Sequence, residues 1–204
     1  MSSLREAQKK LTRDVIVERA LELFTEKGYA ATTIDEIAAA AGTTRVTFYA
    51  YYPSRSDLMR DFMARVNAVL DRADGPESGS TALDLVDVVR AGELPGILAW
   101  LESRAALWPV FRPYLDVLDE AAAVDREVRA MVERWHEEVI SDLVRGMRLA
   151  GCFSEETHHI RGTLAFTSLD YVATLWTRRK FEPNREHALE ILAENWYHLL
   201  CDEG

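Results

Sequence analysis

Apolar side chains recur every three or four residues along nearly all of this 204-residue chain, and the interruptions are glycines and prolines rather than stretches of alternating polarity. That period lines one face of a helix, whereas a half-buried strand needs a period of two. The chain is therefore expected to be all-α, without a strand or an internal repeat of fixed length. Hydrophobic residues make up 48% of it, ample for a core, since a chain of this size buries roughly 70% of its unfolded surface.

The breakers locate the helices. From about Leu11 to Lys27, Val15, Ile16, Ala20, Leu23 and Phe24 form a stripe, and Gly28 is placed to end it. Thr33 stands three residues before Glu36, the spacing of a capping box, and opens a short helix buried through Ile34, Ile37, Ala38 and Ala41. After Gly42, Thr44 is placed to cap a second short helix that Pro53 stops. A long helix then carries Leu58, Phe62, Val66, Val69 and Leu70 towards Gly75-Pro76, and 75 to 80 is expected to be a loop. Further helices are expected at about 82 to 91, 96 to 107, 110 to 121, 124 to 150, 155 to 180 and 185 to 201.

Charge divides the chain unevenly. The net charge is −10, yet residues 1 to 60 sum to +1 and the acidity belongs to the remainder. Arg5, Lys9, Lys10 and Arg13, opposed only by Glu6, predict a small basic arm at the start. So the total charge excludes a protein that coats nucleic acid over its whole surface, but not one with a local DNA-reading site.

Two short helices around a glycine turn form the helix-turn-helix pattern, whose second helix enters the major groove. That helix carries Thr44, Arg45, Thr47, Tyr49 and Tyr51, with Phe48 as an inward anchor. Arg45 can fork to guanine O6 and N7, Thr47 can bond a base edge or touch a thymine methyl, and Tyr49 can donate to a phosphate. The same residues read in isolation also describe a solvated polar face.

The stretch Gly28-Tyr-Ala-Ala-Thr-Thr-Ile-Asp-Glu-Ile-Ala-Ala-Ala-Ala-Gly42, followed by Tyr49-x-x-Tyr52-x-x-Arg55-x-x-Leu58, resembles the N-terminal region of TetR-type bacterial transcription regulators over roughly residues 11 to 58. The resemblance implies a DNA-binding domain over 1–57 and a helical regulatory, ligand-binding and dimerisation domain over 58–204. It implies a homodimer on a palindromic operator, usually a repressor until a small molecule binds. Carried over by position, Thr33 and Tyr49 contact phosphates, Thr44, Arg45 and Thr47 face the groove beside Thr43 and Phe48, and Tyr52 and Arg55 complete the DNA-binding set, Arg55 beside the backbone. Val46 departs from the usual small residue, Tyr52 from Phe and Arg55 from Lys; Val46 narrows the approach, and Arg55 keeps the charge.

In that family the central helices enclose a ligand cavity. The aromatic supply here is Phe62, Trp100, Trp108, Phe111, Tyr114, Trp135, Phe166 and Tyr171, with His136 as a polar member, which suits an apolar or aromatic effector. Each of these side chains is also an ordinary core filler. The family's four-helix dimer contact falls on Leu169, Val172, Leu175 and Trp176 and on Leu189, Leu192, Trp196 and Leu199. Without HExxH, G-x-S-x-G, P-loop or Rossmann glycines, no enzyme and no cofactor are expected. A protein-interaction or small-molecule-binding module without DNA binding is the rival reading. Cys152 and Cys201 are too few for a disulfide framework, no metal set is evident, and neither a signal peptide nor a run of ~20 apolar residues is present, so a cytoplasmic protein without a membrane partner is expected.

Overall fold

The computed structural model describes residues 2–72 and 82–202, and among them it contains ten helices and no strand. They are α1 (Ser2–Lys27), α2 (Ile34–Ala40), α3 (Arg45–Tyr51), α4 (Arg55–Val69), α5 (Leu83–Ala91), α6 (Leu94–Ala105), α7 (Trp108–Val124), α8 (Arg126–Ala150), α9 (Glu155–Thr177) and α10 (Arg185–Leu200). The expected loop at 75 to 80 lies outside the described residues.

Several ends differ from the periodicity, each for a local reason. α1 starts at Ser2 instead of about Leu11, because Leu, Arg, Glu, Ala, Gln and Lys are strong helix formers even where no buried stripe guides the eye. The expected basic arm is thus the first turns of a helix. α4 stops at Val69, short of Gly75, where Asp71 adopts φ +52° and the Arg72 N–H returns to the Asn67 carbonyl at 2.9 Å. α9 stops at Thr177 in the same manner, with Arg179 at φ +55° and the Lys180 N–H on the Leu175 carbonyl. Pro95 and Pro109 lie within the first turns of α6 and α7, where a missing N–H leaves no bond unmade.

The chain forms two compact units. The first takes residues up to Val66 together with Pro113–Val132; the second takes Asn67–Arg112 and everything from Glu133. The first unit therefore runs past residue 57 and includes a segment remote in sequence. Its core is Ile16, Val17, Ala20 and Phe24 of α1, Ile37 and Phe48 of the short helices, Leu58, Met59 and Phe62 of α4, and Leu115, Leu118 and Ala121 of α7. Polar contacts fasten the remote segment: the Tyr29 N–H donates to Glu120 at 2.9 Å, Ser56 to Asp125 at 3.2 Å, and Arg60 to Glu127 at 3.3 Å. Gly28 ends α1 at φ +85°, a conformation that favours glycine, and a Cβ there would lie 2.7 Å from the Glu120 Oε1, so that carboxylate would have to shift.

In the second unit, α10 packs between α6 and α9. Trp196 is fully buried, donates its indole N–H to the Ala165 carbonyl at 3.0 Å and stacks on Trp100 at 5.6 Å. α5 crosses α8 at Gly146, where a Cβ would lie 2.5 Å from the Cβ of Val89. Replacing Gly146 by Ala is expected to lower stability by about 1–3 kcal/mol through overpacking. The control is Gly96→Ala, whose Cβ meets nothing nearer than 4.0 Å; it should be neutral or stabilising. Equal urea midpoints for the two variants would contradict this packing.

Candidate nucleic-acid interface

Capping shapes the two short helices. The Thr33 hydroxyl oxygen accepts the Glu36 N–H at 3.2 Å, and the Thr33 N–H donates to the Glu36 carboxylate at 2.8 Å. Lys27 holds the other carboxylate oxygen at 2.8 Å. The Lys27 ammonium first, then the Thr33 donors, draw the Glu36 carboxyl down to about 2. Thr33 also donates its hydroxyl proton to Glu36, at 2.9 Å. The side chain expected on a DNA phosphate is therefore engaged in the cap.

After the turn, with Gly42 at φ +65°, the Thr43 N–H returns to the Ala38 carbonyl at 2.9 Å and Thr44 caps α3 by accepting the Thr47 N–H at 3.1 Å. The Thr44 and Thr47 hydroxyls share a hydrogen bond at 3.0 Å. Phe48, expected beside the groove as well as inward, is wholly buried and does not face DNA: it is the anchor that holds α3 against the core. Thr44, Arg45, Val46 and Tyr49 are exposed on the other side, Val46 most fully at 81%. Arg45 bonds Asp35 of α2 at 2.8 Å and lies 5.6 Å from the centre of the Tyr49 ring.

Two more expected contacts turn out otherwise. Tyr52 is 1% exposed; its hydroxyl donates to Asp61 and accepts from Arg13 at 3.2 Å. Burial, then the Asp61 carboxylate, raise its phenol well above the ordinary range. Arg55 does start α4, but its guanidinium donates to the Tyr29 carbonyl and lies 3.9 Å above the Tyr29 ring. Both residues brace the helix-turn-helix from within. Arg13 is likewise engaged with Asp61, at 2.9 Å, while Lys9 and Lys10 are exposed and the Arg5 side chain lies outside the described residues.

A model of bacterial regulatory proteins of the tetR family matches residues 16–62. The transcriptional repressor LfrR of Mycolicibacterium smegmatis is 34% identical over 139 residues, spanning 65% of this chain and 71% of that protein. This chain belongs to the TetR family. Its fold agrees with native NalD of Pseudomonas aeruginosa, at 22% identity and a TM-score of 0.71 over 96% of this chain and 98% of the other. It agrees also with a TetR-like regulator from Rhodococcus, at 17% identity and 0.65 over 92% and 93%. The TetR-family protein is thus a helix-turn-helix DNA-binding transcriptional regulator, and α2 and α3 are the two short helices of that motif.

The aromatic residues of this TetR-family protein fall into separate groups. Phe62 and Tyr114 meet edge to face at 5.1 Å in the first unit. In the second, Trp135, His136 and Phe166 form one cluster, with His136 5.0 Å from Phe166 and 5.7 Å from Trp135. The Trp135 N–H donates to Asn67 at 2.8 Å and Arg72 lies 4.6 Å above its ring. Trp100 stacks on Trp196 instead, Trp108 meets Trp176 edge to face at 5.2 Å, and Phe111 is buried. Tyr171 is 63% exposed on α9, so the structure does not place it as a cavity wall.

Of the residues expected at a dimer face, Leu189, Leu192 and Trp196 are buried within the single chain, because α10 turns them onto α6 and α9. Leu169, Val172, Leu175, Trp176 and Leu199 are half-buried. The apolar side chains exposed on α9 and α10 are instead Ile160, Leu164, Tyr171 and Ile191, which sequence periodicity could not separate from the core stripe. Among the described residues no group of three or more His, Cys, Asp and Glu is placed to hold a metal, and no helix is long and apolar enough to cross a membrane.

Two outcomes follow from these placements. Tyr52→Phe removes one buried hydroxyl but leaves Arg13 and Asp61 together; it is expected to lower stability by about 1–2 kcal/mol in urea melts, without altering DNA base preference. Burial pushes the His136 imidazole below its ordinary value of 6.5, Asp170 opposing and Arg112 assisting. A lowered folded value means that the unfolded chain takes the proton first, so the contribution is complete above about 6.5 and is lost as pH falls through the folded value. His136→Phe should therefore lose less melting temperature than the parent between pH 7.5 and 5.5, and parallel curves would remove His136 as the cause.

Proposed function

We propose that this regulator is a repressor that binds a palindromic operator as a homodimer and leaves it when a small apolar or aromatic molecule binds the helical remainder of the chain. The observation that carries the DNA reading is the division of α3: Phe48 is buried to the last atom, while Arg45, Val46 and Tyr49 on the same helix and Thr44 at its N-cap face solvent. Arg45 reads guanine, Thr47 a neighbouring base edge, and Val46 adds an apolar contact suited to a thymine methyl. With Thr33 engaged by Glu36, Tyr49 is the phosphate contact of this group.

LfrR and NalD are both named as repressors, NalD as the secondary repressor of a multidrug efflux pump, which supports repression here. The Trp135–His136–Phe166 cluster offers flat apolar walls with one polar nitrogen-bearing ring for such a molecule. Ile160, Leu164, Tyr171 and Ile191, exposed on the two final helices, supply the apolar material of a twofold contact. A twofold dimer requires half-sites one DNA turn, ~34 Å, or a multiple apart.

Selection from random duplexes with the full chain should recover a palindrome whose affinity falls steeply as salt rises. On that duplex, Arg45→Ala and Thr47→Ala should each lose about 1–3 kcal/mol and relax preference at one base pair, while Tyr49→Phe should weaken all sequences alike. Recovery of no preferred duplex would overturn the DNA reading, and equal effects of all three variants on every sequence would overturn the assignment of roles.

A further inference from the structure

The ion pair between Asp35 and Arg45 joins the first turn of α2 to the first residue of α3 across the Gly42 turn, with Asp35 Oδ2 2.8 Å from an Arg45 terminal nitrogen. Both side chains are more than half exposed, at 62% and 58%. Arg45 is held from a second side by the Tyr49 ring, 5.6 Å from its guanidinium carbon. A guanidinium carries five donors in a planar fork. One terminal nitrogen bonding Asp35 leaves the other edge of the fork for a base.

We propose that Asp35 is a specificity-determining residue that aims Arg45 at its base and penalises DNA that Arg45 does not match; this rests on the base-reading role given to Arg45 above. In water an exposed pair of this kind contributes little to stability. In the groove, where water is displaced and the effective dielectric falls, the same pair fixes the guanidinium plane much more firmly. Its carboxylate, exposed beside Arg45, repels the phosphates of any duplex, a cost that a matched base edge offsets through Arg45 and a mismatched one does not. Affinity and discrimination are thereby set against each other on one side chain.

The test uses the full chain, the selected palindrome, its single-base variants at the position relaxed by Arg45→Ala, and an unrelated duplex. Asp35→Asn keeps the size and an acceptor oxygen but removes the charge. It is expected to tighten binding to the unrelated duplex severalfold, as one repulsive charge is removed. It should also lower discrimination at the Arg45 base pair by about tenfold. In the Arg45→Ala background, Asp35→Asn should leave discrimination at that base pair unchanged. A purely structural role for Asp35 at the start of α2 would shift the melting temperature without touching base preference. Unchanged discrimination in Asp35→Asn, with Arg45→Ala still relaxing that base pair, overturns the proposal alone. If Arg45→Ala relaxes no base pair, the base-reading role itself has failed and the proposal falls with it.

Discussion

A seven-residue helix does not hold its shape in water, because nucleation fixes several residues before the first hydrogen bonds repay them. α3 is such a helix, and everything the interface does depends on burying Phe48 and Tyr52. Phe48 packs on the Tyr52 ring at 5.7 Å, and the Tyr52 hydroxyl is held between Asp61 of α4 and Arg13 of α1. The reading helix is therefore pinned at its middle and its end to the two long helices of its own unit. Its exposed side chains keep a fixed bearing although only Phe48 of the helix and Tyr52 at its C-cap enter the core.

The turn before α2 is held with comparable completeness. Tyr29 donates its N–H to Glu120, accepts the Arg55 guanidinium on its carbonyl, and stacks its ring beneath that guanidinium. Both backbone groups of one turn residue are thus satisfied by side chains 91 and 26 residues away. This explains why Pro113–Val132 belongs to the same compact unit as the helix-turn-helix. Three acids of that segment, Glu120, Asp125 and Glu127, each bond the first 66 residues. Asp125 additionally caps α8 through the Glu127 and Val128 N–H groups.

Most of this architecture was legible from spacing, and the losses have definite causes. The capping box at Thr33 and Glu36, the Gly42 turn and the Phe48 anchor are local, so periodicity and cap chemistry reach them. Tyr52 and Arg55 were assigned to DNA from family position, but their hydrogen bonds go to Asp61 and Tyr29, partners that only tertiary contact reveals. Leu189 and Trp196 belong to an apolar stripe that looks the same whether it faces a neighbouring helix or a second chain. The aromatic residues divided for the same reason: sequence reports how many rings there are, and packing decides that Trp100 joins Trp196 while Trp135 joins His136 and Phe166.

Charge is where counting misleads most. The first 60 residues sum to +1, which suggests a mildly basic surface, yet most of their cations are matched one by one. Arg13 bonds Asp61, Arg19 bonds Glu22, Lys27 bonds Glu36, Arg45 bonds Asp35, and Arg60 bonds both Asp57 and Glu127. A surface neutralised pair by pair exerts little field beyond the Debye length of ~8 Å. Long-range attraction to DNA is then weak, and in the proposed mode of binding the counterions released at close phosphate contacts matter more than the field of the whole surface. That is a reasonable design for a protein with a net charge of −10. On the exposed side of α3, Arg45 carries its own counter-charge with it in Asp35. Selectivity in such a site is limited by geometry at a few atoms, not by the total charge of the chain.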